Sequence, residues 1–424
     1  MPRPAAIGFL VAAGLVLAAC VESPQALYDR AEALRRRGDL KPALELARRG
    51  VTRFHSPAQS QWHWPFRLLA AEILLDQRDA PACLDILETP PGPAPAAALE
   101  ARRLAATGYA TVISFPAQAT AAAAMLDSAH QIASRAGPPA LVAAISLRRS
   151  IVRGSGLNTE VFVREALDHA RKANDRFYES AALLDLGYVR LQASRFDEAI
   201  PWLEQAAALA EAAGAVRLHG RALGNLGLCY YRVGETERAR GVLEQALRLS
   251  SSVEDHAMVY RWWNNLGNVH HRRGEWAEAR RIYRQAADLA RRQRGLEFLP
   301  PILNNLTMTS LDSGDLDAAE RYGLENAPLA KDPEADLRWR FYQARAAVGR
   351  KASAAESLLA EVIDAARLNR DPAVLWEAQA HQARLLTSMP GREAGAEAAF
   401  RDALATIDVE WTRLGGDEHR IGFL

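Results

Sequence analysis

Three asparagines stand at 40-residue intervals, Asn225, Asn265 and Asn305, and two of them follow an arginine by four positions, Arg221 and Arg261. An Asn amide carries donors and an acceptor, matching what a peptide backbone presents. An Arg guanidinium is a planar fork that meets a carboxylate with two hydrogen bonds. The chemistry on offer is recognition: gripping an extended chain and acidic groups on it. Arg232, Asn268 and Arg272 extend the same pattern. The preceding interval supplies Ala181, Asp185, Tyr188 and Gln192, and the following one Pro301, Met308 and Asp312.

Residues of covalent chemistry do not assemble. Cys229 lies in the apolar helical stretch LGLCYY, and Cys83 has no histidine near it in sequence. His270 and His271 are adjacent, so on a helix they point about 100° apart and do not readily share a metal. No glycine-rich phosphate loop, serine elbow or metal-ligand spacing is present in the sequence. The expectation is a non-enzymatic chain without cofactor or metal. With 52 basic and 51 acidic residues, net charge +1, no global field recruits nucleic acid. Lysine occurs only at 41, 172, 331 and 351.

What must position the Asn and Arg residues is a repeat. Gly227 and Gly267 are 40 residues apart, as are Gly234 and Gly274, Ala239 and Ala279, and Leu243 and Tyr283. One period at four positions sets the architecture. Earlier and later units follow: Leu186-Gly187 with Ala199, then Leu306 with Gly314 and Ala319, where Thr307 replaces the first glycine. The pattern elsewhere is helical and paired, and about ten antiparallel helix hairpins are expected. In each central hairpin the glycine of Leu-Gly faces the second helix. Asn225, two residues before Gly227, is then about 200° around the helix, toward the groove. Two readings of the asparagines stand: groove ligands, or residues common in such repeats.

The Leu-Gly pair, the Gly-acid turn, an apolar residue just after it (Phe196, Trp276, Leu316) and the small-residue contacts together resemble the tetratricopeptide family. The likeness is strongest over residues 180–327, and the 40-residue period is similar to that of the long-helix forms in kinesin light chains. It implies an all-α, right-handed superhelical solenoid that buries each repeat on its neighbours. It also implies an asparagine ladder gripping a peptide, with a looser similarity to carboxylate-gripping co-chaperone repeats, which rely on lysine where arginine stands here.

Both ends carry further resemblances. Arg3, the 14-residue apolar run Ala5–Ala18 and Leu17-Ala18-Ala19-Cys20 resemble a bacterial lipoprotein signal, implying cleavage before Cys20 and its lipidation. The localisation expected is a lipid-anchored, periplasm-facing place in the cell envelope, with Val21 and Glu22 leaning toward the outer membrane. Leu414-Gly415-Gly416-Asp417, Arg420 and Phe423-Leu424 resemble the junction where such repeats lead into a caspase-like CHAT domain. The histidine and cysteine of that domain would lie beyond Leu424.

The expected organisation is a signal peptide (1–19), N-terminal helix pairs (20–89), a Pro-rich linker (90–95) and degenerate hairpins (96–173). Regular repeats (174–327), weaker repeats (328–409) and a tail (410–424) complete it. The expected function is a membrane-anchored scaffold that binds a protein or peptide partner. The groove candidates are Arg221, Asn225, Arg232, Arg261, Asn265, Asn268, Arg272 and Asn305. The alternatives are the recognition arm of a split or degenerate CHAT protease and a cell-envelope assembly lipoprotein.

Overall fold

Three-residue turns between helices of 17 residues give a 20-residue step, and two steps give the 40-residue period. Six consecutive helices from Arg176 to Arg292 have that length. The structure, a computed structural model, describes residues 22–55, 60–88, 96–153, 157–293, 295–329 and 333–413. The signal segment with Cys20, the 90–95 linker, the Gly154–Gly156 turn and the tail from 414 onward lie outside the described residues.

Among the described residues all regular structure is helical. The helices are α1 (Pro24–Arg37), α2 (Leu40–Arg53), α3 (Ser60–Asp76), α4 (Ala80–Leu87), α5 (Ala97–Ser114), α6 (Ala119–Ala136), α7 (Pro139–Arg153), α8 (Leu157–Lys172), α9 (Arg176–Gln192) and α10 (Phe196–Ala212). They continue as α11 (Val216–Arg232), α12 (Thr236–Ser252), α13 (His256–Arg272), α14 (Trp276–Arg292), α15 (Leu299–Asp312), α16 (Leu316–Asn326), α17 (Pro333–Gly349), α18 (Ala355–Asn369), α19 (Pro372–Thr387) and α20 (Glu393–Arg413). Taken in pairs they make the expected ten hairpins of an all-α repeat fold. No helix among the described residues is long and apolar enough to cross a membrane. The chain divides into two compact units, Met1–Ala182 with Leu209–Arg217, and Leu183–Ala208 with Leu218–Leu424.

In the first unit α3 is the central element, with Leu68, Leu69, Ile73 and Leu74 almost fully buried among alanines of α1, α2 and α5. Its inward face also carries Glu72, 5% exposed. Arg102 of α5 meets this carboxylate with both prongs, Nε and Nη2 each donating at 3.0 Å. Arg35 of α1 lies 3.2 Å from it and also donates to Asp76 at 2.8 Å. Burial alone would raise the Glu72 carboxyl, but Arg102, Arg35 and Arg148 outweigh it and hold it at about 2. Arg36 pairs with Asp175 at 3.0 Å, and Arg217 donates to the Asp76 carbonyl at 2.8 Å. The polar side chains around Glu72 are thus occupied by one another.

The second unit holds the regular repeats. Gly234 and Gly274 close α11 and α13 in the left-handed region, φ +89° and +74°. There Glu235 N–H donates to the Tyr230 carbonyl at 2.8 Å and Glu275 N–H to the His270 carbonyl at 3.0 Å. This is the αL cap that ends a helix without a Cβ penalty. The second helix then crosses back over the Leu-Gly pair. A Cβ built on Gly227 would stand 2.6 Å from Leu243 Cγ, and one on Gly267 2.3 Å from Tyr283 Cε1. In the fourth repeat the register changes residue type at both places: Thr307 holds the first-helix position of Gly227 and Gly267, and Gly323 the second-helix position of Leu243 and Tyr283. Cys229 is fully buried and Cys83 likewise, each as a free thiol that burial pushes up to about 12. Trp262 is 1% exposed, whereas Trp276, the first residue of α14, is 41% exposed.

Candidate ligand groove

The groove candidates lie on α11, α13 and α15, the first helices of three successive hairpins. Asn225 is 6% exposed, more deeply set than a groove-surface residue. The cause is next to it: Trp262 of α13 packs on Gly224, where a Cβ would stand 2.2 Å from the indole. Asn265 is half-buried. Neither Asn225 nor Asn265 has a side-chain hydrogen bond to another described residue, so their amides retain unused capacity.

Asn305 differs. Its Nδ2 donates to Asn264 Oδ1 at 2.9 Å and to Asn268 Oδ1 at 3.0 Å. Asn268 Oδ1 also accepts from the Tyr283 hydroxyl at 2.5 Å. This part of the ladder is a cross-brace from α15 to α13, and Asn264, not Asn265, is the partner. The sequence pattern alone did not single out Asn264, because it precedes the repeated Asn by one residue and belongs to a different face.

The arginines also divide. Arg272 Nη1 donates to the Tyr231 carbonyl at 2.7 Å and its guanidinium lies 4.1 Å from the Tyr231 ring centroid. It sits at the carbonyl end of α11, where positive charge is favoured, and ties α13 to α11. Arg232 stacks over Phe196 at 5.7 Å. Arg261 lies 5.6 Å from the Trp262 ring and forms no ion pair among the described residues. Arg221 acts on Asp185 of α9, whose carboxyl burial pushes up to about 6 against the pull of Arg221.

Further along, Asp312, at the position that Arg232 and Arg272 hold in their repeats, meets two basic side chains. Asp312 of α15 accepts from His271 Nε2 at 2.7 Å and from Arg345 Nη2 at 2.5 Å. Burial opposes ionisation of Asp312, yet these two partners hold its carboxyl below the usual range. On α19, burial together with Arg345 and Arg384 lowers His381 to about 4, so it is neutral at physiological pH. His270 and His271 therefore serve separate acids, Glu275 and Asp312. No cluster of His, Cys, Asp or Glu able to hold a metal occurs among the described residues.

No curated protein sequence matches the chain. Solved structures do. Aspartyl phosphate phosphatase F from Bacillus subtilis aligns with 94% of this chain and 96% of its own at 13% identity and TM-score 0.51. The apo form of RapI aligns with 64% of this chain and 99% of its own at 12% identity and TM-score 0.54. A Rap protein complexed with competence and sporulation factor aligns with 87% and 99% at 13% identity and TM-score 0.53. At such identities the likeness is one of fold. The family profile of the tetratricopeptide repeat matches directly, at residues 178–252 and 258–325, so these segments are tetratricopeptide repeats.

Proposed function

We propose that the chain is a protein-binding scaffold whose groove along α9, α11 and α13 receives an extended segment of a partner. The observation that carries this reading is the contrast between equivalent positions. Asn305 is braced by Asn264 and Asn268, while Asn225 and Asn265 keep amides with no partner among the described residues. First helices of adjacent hairpins pack about 8–10 Å apart, and an extended chain rises about 3.3 Å per residue. Successive asparagines would then meet the backbone at about every third residue. Arg221 and Arg261 flank them and favour acidic side chains or a free C-terminus. The Rap protein complexed with competence and sporulation factor supports the reading only in that its fold can hold a ligand.

The test is selection from a random peptide library displayed with free C-termini. Acidic or C-terminal carboxylate consensus peptides are expected, and Asn225→Ala with Asn265→Ala should weaken them at least tenfold while thermal unfolding stays put. Peptides indifferent to the double variant would sink the groove assignment. We further propose anchoring through Cys20, supported by the apolar run and Leu17-Ala18-Ala19-Cys20. Cys20→Ser should abolish palmitate labelling and leave unprocessed precursor; normal processing of that variant would overturn the anchor.

A further inference from the structure

In the first unit Arg30, Arg35, Arg36, Arg37, Arg102 and Arg103 each pair with a carboxylate. The last two turns of α2 differ. Arg48, Arg49 and Arg53 form no ion pair among the described residues. Arg48 and Arg49 are exposed, and the Arg53 guanidinium lies 5.1 Å from the Phe54 ring centroid. No acidic residue occurs in the sequence between Glu45 and Glu72. Glu45 is the one acid of α2 and lies a turn back from Arg48, while Glu22 is taken by Arg30 at 3.2 Å. The end of α2 is therefore a patch of uncompensated positive charge.

The core beneath it shows which edge of the unit this is. Phe54, just past α2, packs with Leu27 in the first turn of α1 and with Phe66 of α3. The Phe54 and Phe66 rings stack at 5.5 Å. Trp62, near the start of α3, stands 6.1 Å from Tyr28 and 6.2 Å from Phe66. It is only partly buried, and its Nε1 has no hydrogen-bond partner among the described residues. The end of α2 thus shares an edge with the starts of α1 and α3. Cys20 precedes Pro24, the first residue of α1, by four positions. At no more than about 3.6 Å per residue, a lipid on Cys20 is tied within about 14 Å of that edge.

The chemistry of the edge suits a lipid surface. A guanidinium matches a phosphate with a planar fork. An indole that is apolar on its faces and polar at its N–H favours the boundary between headgroups and acyl chains. Arginines elsewhere on the surface of a protein could meet a protein carboxylate, but these three stand beside the anchor point, and that continuity selects the membrane.

We propose that the end of α2, with the starts of α1 and α3, lies on an anionic membrane surface, its three arginines at lipid phosphates and Trp62 at the headgroup boundary. The choice of partner rests on the anchoring through Cys20 proposed above, and the two are tested separately. The chain from Val21 onward keeps every described residue and lacks Cys20, so its binding to vesicles is independent of lipidation. Sedimentation with phosphatidylcholine vesicles containing phosphatidylglycerol should show binding that weakens as salt rises from about 50 to about 300 mM. Vesicles of phosphatidylcholine alone should bind at least tenfold more weakly. Each arginine near such a surface is worth roughly fivefold. Arg48→Gln, Arg49→Gln and Arg53→Gln together should therefore weaken binding at least tenfold, with thermal unfolding unchanged. Arg248, Arg292 and Arg321 are also exposed and without an ion pair among the described residues. Their triple change to Gln alters net charge equally and should leave binding within twofold. No binding to anionic vesicles, equal binding to neutral ones, or equal loss in the two triple variants would each overturn the proposal.

Discussion

Asn305 donates to Asn268 at 3.0 Å across 37 residues of chain, and the same amide nitrogen donates to Asn264. One member of a repeated residue set is therefore a brace between hairpins. Replacing it removes two half-buried hydrogen bonds and strands the Asn264 acceptor, whereas Asn268 Oδ1 keeps the Tyr283 hydroxyl. Asn305→Ala is expected to cost about 1–3 kcal/mol of stability and, with ligand saturating, to leave peptide affinity within twofold. Asn225→Ala should do the reverse. Urea unfolding beside a binding titration of both variants separates the roles.

The Glu72 carboxyl, held at about 2 against an ordinary 4.5, makes the first unit acid-sensitive. The folded state binds this proton less readily than the unfolded one. Its stabilisation is therefore complete above about pH 4.5 and is lost as pH falls through about 2. The size is about 3 kcal/mol from about 1.36 kcal/mol per unit. Glu72→Gln leaves Arg35 and Arg102 short of a buried counter-charge and should cost about 3–5 kcal/mol at pH 7. Denaturant midpoints from pH 2 to 7 check both. A wild-type stability that does not fall between pH 4.5 and 2 would contradict the role given to the cluster.

Asp185 has the opposite sign. Its folded carboxyl sits at about 6, above an ordinary 3.8. The protonated form is favoured in the fold, so its contribution is full below about pH 4 and is lost as pH rises through about 6. Above that, ionised Asp185 competes with a ligand carboxylate for Arg221. Acidic-peptide affinity should therefore fall between pH 5 and 7, and Asp185→Asn should flatten that dependence and tighten binding at pH 7. A pH profile of peptide affinity that is the same in both proteins would argue that Arg221 does not hold the ligand.

The repeat was legible because steric demands recur. Gly227 and Gly267 sit under large residues of their second helices, and Gly234 and Gly274 need positive φ, so both pairs keep the 40-residue spacing. The groove was legible only as a stripe. Helix angles place Asn225, Asn265 and Asn305 alike, but the neighbours that occupy Asn305 come from Asn264 and Asn268, one turn of α13 seen from a different hairpin. Arg272 illustrates the same limit: its partner is a backbone carbonyl of Tyr231, which carries no sequence signature. The cluster around Glu72 had no repeat to reveal it, since its members come from four helices at irregular spacing. The fourth repeat did leave a signal: Thr307 and Gly323 stand where the preceding repeats have Gly with Leu or Tyr.

That exchange gives a final contrast between two glycines. Ala is preferred over Gly inside a helix by about 1 kcal/mol, so a Gly→Ala change there is harmful only if its Cβ has nowhere to go. At Gly267 the Cβ would meet Tyr283, fully buried in a filled core, at 2.3 Å. Gly267→Ala should lose about 1–3 kcal/mol through overpacking. At Gly323 the clash with Trp339 is closer, 1.8 Å, yet that side chain lines two cavities, of about 500 and 260 Å³. The ring can swing aside, and Gly323→Ala should stay within about 1 kcal/mol of wild type. Chemical unfolding of the two variants tests this ordering. If Gly323→Ala were the more damaging, the space beside Trp339 would be too rigid to yield.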